Sequence, residues 1–227
     1  MAIHRHGDWT PPVLVRIESR DMTKPKLTYF DTPASRGEEC RLAFHVAGVE
    51  FEDNRIPATA WAAVKPTTPF GVLPVLEWED HPPLGESNAI LTLIGRRYGL
   101  HPEDLFEAAR HEALLSHAEG LRHHVAPTLR IADAAEKKTA REALAASYLP
   151  NWGACAELQL RGGPFVAGAK LHVVDIKLYM IVRWFASGTL DHIPATVFAS
   201  FPKLTRLYEA VKDDARIKAW YAKRSAL

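Results

Sequence analysis

Cysteine is scarce in this chain: its 227 residues include two, Cys40 and Cys155. That excludes a disulfide scaffold and a four-cysteine zinc site, and it suggests a reducing compartment. Net charge is nearly absent as well, with 28 Lys plus Arg against 27 Asp plus Glu, a formal +1. Without a basic excess, neither a nucleic-acid surface nor a polybasic membrane anchor is expected. No apolar run approaches the ~18 residues that a membrane-spanning helix needs. The opening 24 residues, with Pro11-Pro12 and mixed charge, lack the apolar centre of a signal peptide, so a cytoplasmic location is expected. Internal repeats and low-complexity tracts are also missing. What remains is a globular composition, 47% hydrophobic and 24% charged, in a chain long enough to bury a sizeable core. Its length fits one large domain or two small ones.

The pattern along the chain divides it. Residues 1–24 read as an N-terminal extension, with a short strand conceivable at Val13–Ile17. From Leu27 a β-rich run, Leu27-Thr28-Tyr29-Phe30, meets the turn chemistry of Asp31 to Ser35. Arg36 to Val46 carries helical periodicity, with Gly48 just past its end. Val49 to Ile56 reads as a second strand, which makes a βαβ unit. Trp61 to Lys65 reads as a helical turn, and Pro66 and Pro69 break the chain after it. Leu73 to Trp78 reads as a strand opened by Pro74, with a hairpin partner near Leu84. Glu86 to Tyr98 is helical in pattern and stops at Gly99. Beyond residue 101 only helices are expected: 104–132, 134–159, 172–187 and 203–224. The expected division is therefore residues 25–101 as an α/β domain and 102–227 as an all-helical one.

Several groups have plain readings when taken singly. Tyr29 is a strand aromatic, Ser87 a capping serine and Lys65 a solvated lysine. His117, His123 and His124 share a helix, but no Cys or acidic partner falls at a zinc-type spacing, so no metal is expected. Gly85-Glu86-Ser87-Asn88-Ala89 approximates the nucleophile elbow of a hydrolase. That reading needs a later acid and histidine on strands, and none is expected there.

The order of the elements, with a proline opening the third strand, is that of a thioredoxin-like domain followed by helices. Over residues 27 to about 222 the chain resembles the tyrosine-type cytosolic glutathione transferases, sigma-like and related to the mu, pi and alpha classes. The residues that carry the resemblance are Tyr29-Phe30, then Arg36, Glu38 and Arg41, then Phe51 to Ile56. Trp61, Lys65, Pro69 to Glu77, Glu86 to Ile90, Gly168 to Asp175 and Phe201 to Leu204 continue it. The resemblance implies that Tyr29 donates its hydroxyl to the sulfur of glutathione, the co-substrate, for attack on an electrophilic small molecule. It implies that Val72, Leu73 and Pro74 hold the cysteinyl part through a cis proline. Glu86 and Ser87 would hold the γ-glutamyl end, Arg36 and Lys65 the carboxylates, and Trp61 would form a wall. It further implies a homodimer, with Phe70 either inserted in the partner subunit or packed within its own, and a role in detoxification. A non-catalytic binding protein on this scaffold, or a glutathione-dependent isomerase or peroxidase, are the alternatives.

Three departures stand out. The loop from Tyr29 to the helix is one residue longer than usual, which makes Ser35 a competing partner for the sulfur, while Cys40 is too deep in the helix. Val72 replaces a common glutamine. His172 occupies a cap position usually held by Ser or Thr, and Asp175 is expected to bond backbone N–H groups there all the same.

Overall fold

The computed structural model describes residues 24–225. The expected extension, apart from Lys24, and its Val13–Ile17 strand lie outside the described residues. Strand β1 is Lys26–Phe30, helix α1 Ser35–Val46 and strand β2 Glu52–Ile56. Helix α2 is the single turn Trp61–Val64, followed by strands β3, Val75–Glu77, and β4, Leu84–Gly85, and by helix α3, Ser87–Arg97. The sheet order is β2-β1-β3-β4, with β2 parallel to β1 and the other pairs antiparallel. The parallel pair requires a crossover, and α1 supplies it. Leu27 and Leu76 pack with Leu42, Phe44, Ile90 and Ile94 of α1 and α3 in the main core. Tyr29, Ile56, Leu73 and Val75 form a smaller cluster with Phe30, Trp61 and Val64.

The helical part comprises α4 (Leu105–Val125), α5 (Ala134–Ala143), α6 (Leu149–Gln159), α7 (Val173–Ala186), α8 (Pro202–Asp213) and α9 (Ala215–Ser225). Asp104 and Asp133 cap α4 and α5 by accepting the N–H of Glu107 and Glu136, each at 2.8 Å. Helix α7 is buried on nearly all sides and forms the centre of this part. Its N-cap is His172, and Asp175 accepts the N–H groups of His172 and Val166, both at 2.7 Å, as the cap motif leads one to expect. Burial nonetheless pushes the Asp175 carboxyl up to about 7. The two parts join where the Val173 N–H donates to the Leu100 carbonyl at 2.9 Å.

Three expected helices differ from those observed. The 104–132 stretch leaves the α-helix at Val125 and tightens through Ala126–Arg130, around Pro127. The 134–159 stretch is helical throughout but widens into a π-turn at Leu144–Tyr148, just ahead of Pro150. A proline inside a helix removes one N–H and crowds the carbonyl four residues before it, and the wider turn accommodates that. The 203–224 stretch is two helices, because Asp214 turns extended and accepts the Arg216 N–H at 2.9 Å, starting α9 anew.

Three histidines meet where α4 approaches the His172 cap. The His111 ring lies 6.0 Å from that of His101 and 5.1 Å from that of His172; both its nitrogens are buried without a hydrogen-bond partner among the described residues, although Nε2 comes within 3.6 Å of the Glu107 carboxylate. Burial, helped by the neighbouring histidines and by Arg110 and Arg161, lowers the His111 pKa to about 3. Burial lowers His101 and His172 too. A base whose folded pKa lies below its unfolded value takes up protons on unfolding, so its share of stability is lost as pH falls from about 6.5 toward 3. Asp175 carries the opposite sign over an overlapping window, so the His111 share is read by difference. Between pH 7 and pH 5 the stability of the wild type should fall by about 2 kcal/mol relative to a His111→Leu variant. Urea unfolding at both pH values measures this, and a difference that stays constant contradicts it.

Candidate functional site

The strand register brings the expected residues into one place. Thr28 of β1 faces Val75 of β3, which faces Gly85 of β4. One step beyond, at the same end of the sheet, lie Tyr29, Pro74 and Glu86, and after them Phe30, Leu73 and Ser87. The Leu73–Pro74 bond is cis. Among the described residues, the Leu73 N–H and C=O have no protein partner. Glu86 holds a positive φ of 67° ahead of α3, and Ser35 one of 64° at the start of α1. Left-handed backbone costs a non-glycine residue ~1–2 kcal/mol, and such strain collects at functional sites. Both residues flank this end of the sheet.

Around that row stand the remaining expected residues. The Tyr29 side chain is nearly buried and its ring packs directly on Gly37, where any Cβ would collide with it. Glycine at 37 thus lets the tyrosine ring lie against the first turn of α1. The Trp61 ring meets that of Phe30 edge-on at 5.8 Å. Lys65 is exposed, lies over Gly71 and has no acidic partner among the described residues. Val72 is half-buried beside Leu73. Cys40 is fully buried, and burial, then Glu39, pushes its thiol up, which makes it a poor nucleophile. Phe70 is 66% exposed, and its ring lies over Gly85.

The β1–α1 loop is held by Arg41. Its guanidinium donates to the carbonyls of Thr32 and Phe30, at 2.9 and 3.1 Å, and to Asp53 at 2.8 Å. Beyond this loop lies a feature that the sequence reading missed. Glu39 of α1, Glu119 and Arg122 of α4 and Lys177 of α7 form a buried ion cluster. The Lys177 ammonium lies 3.1 Å from Glu39 and 2.7 Å from Glu119, and donates to the Ser87 hydroxyl at 3.4 Å. Arg122 pairs with Glu39 and donates to the Ser35 hydroxyl at 2.7 Å. Arg36 donates to Glu119 at 2.7 Å, so this expected ligand cation already has a carboxylate partner. Burial would raise the Glu119 pKa, but Lys177, ahead of Arg36, outweighs it and holds the group at about 2. The signal was present in the run Val173 to Val182, where Asp175 and Lys177 interrupt an otherwise largely apolar helix. A lysine there is either misplaced or paired.

A cavity of about 430 Å³ opens beside this cluster, between the β1–α1 loop, the end of α4 and α7. Ser35 and Arg36 line it together with Ala126, Met180 and Trp184. Its size suits a small-molecule ligand. The described residues contain no group of three His, Cys, Asp or Glu placed to hold a metal ion, and no helix long and apolar enough to cross a membrane. His117 and His124 instead approach the carbonyls of Trp152 and Gly120, at 3.2 and 2.9 Å, and His123 is exposed. The serine of the elbow-like motif is buried, and among the described residues its hydroxyl bonds to Lys177 and to no histidine.

The chain is similar to known proteins over most of its length. The family model for the glutathione S-transferase N-terminal domain matches residues 30–102, and that for the C-terminal domain matches residues 119–224. Glutathione S-transferase 1 of Ascaris suum is 30% identical over 208 residues, covering 89% of this chain and 98% of the relative. Hematopoietic prostaglandin D synthase of Gallus gallus is 30% identical over 205 residues, with the same coverage. Among solved structures, prostaglandin synthase D of Nilaparvata lugens matches with a TM-score of 0.78 at 28% identity, over 88% of this chain and 98% of that one.

The ion cluster makes a direct prediction. Lys177→Met takes away the cation shared by buried Glu39 and half-buried Glu119 and leaves each with one arginine alone, and removing one partner of a buried pair costs ~3–5 kcal/mol. Urea unfolding should show a loss of that size, and Glu39→Gln added to Lys177→Met should recover part of it. A loss below about 1 kcal/mol, as for exposed pairs, contradicts the assignment.

Proposed function

The chain belongs to the glutathione S-transferase family, and on that premise we propose that it binds glutathione at the end of its sheet and ionises the sulfur for attack on an electrophile. The observation that carries the reading is the register: Tyr29, Leu73-Pro74 and Glu86-Ser87 fall in adjacent rows at one sheet end. The unpaired Leu73 backbone suits the cysteinyl part of the tripeptide, which would pair with it as an added strand. Ser87 and the free N–H groups of the first turn of α3 suit the γ-glutamyl carboxylate, with Glu86 beside the ammonium group. Lys65, a cation without an acidic partner among the described residues, suits the glycyl carboxylate. Trp61, Val72 and Pro74 wall the site. Arg36, neutralised by Glu119, serves to place the start of α1.

Tyr29 is the proposed catalytic residue. A thiol ionises near pH 8.5, so about 3% is thiolate at pH 7. An O–H···S⁻ bond from Tyr29, with the positive end of α1, would lower that pKa by roughly 2 units, worth about 2.7 kcal/mol. The thiolate fraction then rises to about 75%, on the order of 25-fold. The sulfur electron pair forms the new bond to the electrophilic carbon, and the leaving group departs with the pair of the bond it breaks. The 430 Å³ cavity beside Ser35 and Arg36 would receive the electrophile. Ser35 is the competing hydroxyl, since Arg122 occupies its acceptor side and leaves its hydrogen to donate. A glutathione-dependent isomerase is the second reading, favoured by the similarity to a relative named prostaglandin D synthase, and it uses the same thiolate.

A cytoplasmic homodimer acting in detoxification is part of this proposal. The exposed Phe70 and the wide groove between α3 and α4, lined by Leu84, Leu93 and Leu115, suit a second copy of the chain. Sedimentation velocity tests this, and a monomer at micromolar concentration contradicts it. The chemistry is tested by ultraviolet difference titration near 240 nm with saturating glutathione. The wild type and Ser35→Ala should show a thiolate band with an apparent pKa well below 8.5, and Tyr29→Phe should lose it. Loss in Ser35→Ala alone moves the chemistry to the loop. Absence of the band in the wild type leaves a non-catalytic binding protein.

A further inference from the structure

The cavity beside α7 carries an imbalance of charge that the binding of glutathione does not use. Three arginines line it, Arg36, Arg122 and Arg183, and among the described residues no Asp or Glu does so. Two of the three are already neutralised, Arg36 by Glu119 and Arg122 by Glu39. Arg183 is different. Its Nη1 donates to the Pro33 carbonyl at 3.0 Å and to the Tyr221 hydroxyl at 3.2 Å, and its guanidinium lies 4.6 Å from the centre of the Tyr221 ring. All of these partners are neutral. The Nε–H and the two Nη2–H groups have no protein partner among the described residues. The adjoining ion cluster offers no spare anion, because Arg36, Arg122 and Lys177 outnumber Glu39 and Glu119.

We propose that this cavity selects electrophiles bearing a carboxylate on an apolar body, with Arg183 as the anchor for the carboxylate. The inference rests on the transferase reading and gives its second substrate a chemical class. A planar guanidinium with an Nε–H and an Nη2–H both free presents the fork that a carboxylate accepts in bidentate fashion. The pairing is worth more in a half-buried cavity than in open water, because the cation there is partly stripped of solvent and has no counter-ion among the described residues. The rest of the wall asks for hydrocarbon: Pro33, Ala126, Leu129, Met180 and Trp184 line it. Leu129 is 51% exposed, an apolar surface that a ligand would cover. The cavity also reaches Ser35 and Arg36 at the start of α1, so a ligand anchored at Arg183 extends its body toward the site proposed for the sulfur. Arg183 acts here on specificity and takes no part in ionising the thiol.

The test uses two matched pairs of probes on the full chain, with Arg183→Gln and Arg183→Lys alongside. Calorimetry with 3-nitrobenzoate and 3-nitrobenzamide reads the cavity without chemistry. The wild type should bind the carboxylate at least 5-fold more tightly than the amide, Arg183→Gln should bring the ratio near one, and Arg183→Lys should restore part of it. Conjugation of 4-chloro-3-nitrobenzoate and 4-chloro-3-nitrobenzamide, each kcat/KM divided by its uncatalysed rate with glutathione, should follow the same ratios. Because each ratio is internal to one protein sample, a partly destabilised variant does not mimic the effect. An amide bound as tightly as the carboxylate by the wild type, or a preference that survives Arg183→Gln, overturns the proposal. Carboxylate preference in calorimetry with no thiolate band and no conjugation leaves the anion site standing and overturns the transferase reading instead.

Discussion

The site depends on one buried constraint: the charges at the seam between α1, α4 and α7 must all be paired. Lys177 lies fully buried between Glu39 and Glu119, and Arg122 closes the group onto Ser35. Charges removed from water gain little net stability even when well paired, because their desolvation offsets most of the attraction. Their effect is on geometry. Each misalignment leaves a charge unpaired in a poor solvent, so α1 is held to one placement against the helical part. Ser35, Arg36 and Ser87 are held with it. The strained Ser35 backbone is thereby supported from the helical side, by a residue 87 positions away in sequence.

From the other side the same loop is tied down by Arg41, which gathers two backbone carbonyls and Asp53. The β1–α1 loop therefore hangs between two arginine anchors, one in each part of the chain. Gly37 lets α1 approach the tyrosine ring while Tyr29 keeps its place in β1. Arg183 adds a third tie through Pro33, on the face that borders the cavity. Proposed sulfur chemistry and proposed electrophile selection thus meet at one short loop whose position is set from three directions.

Much of this arrangement was legible in the sequence. Period-two and helical patterns with Gly and Pro punctuation placed the strands, and the proline of Leu73-Pro74 marked the third of them. The resemblance named the residues that the strand register then aligned. What escaped was of two kinds. The breaks at Asp214 and ahead of Pro150 arise from local competition for backbone hydrogen bonds, which residue periodicity does not register. The ion cluster escaped because its members are spread over three helices and each alone reads as an ordinary surface charge. Lys177 was the exception, since a lysine in the apolar run Val173 to Val182 already demanded a partner. Arg183 was equally silent, because its meaning lies in the charge that is missing around it.

The central claim is that this chain, by placing a hydroxyl and a helix start at the end of its sheet, ionises bound glutathione. Proton release on binding tests that most directly. Titrating glutathione calorimetrically at pH 7 in buffers of different ionisation enthalpy gives the protons released per site. A thiol pKa lowered by roughly 2 units should release about 0.7 proton, while S-methylglutathione, which has no thiol proton, should release none. Equal release by the two ligands, or none by either, would contradict the account.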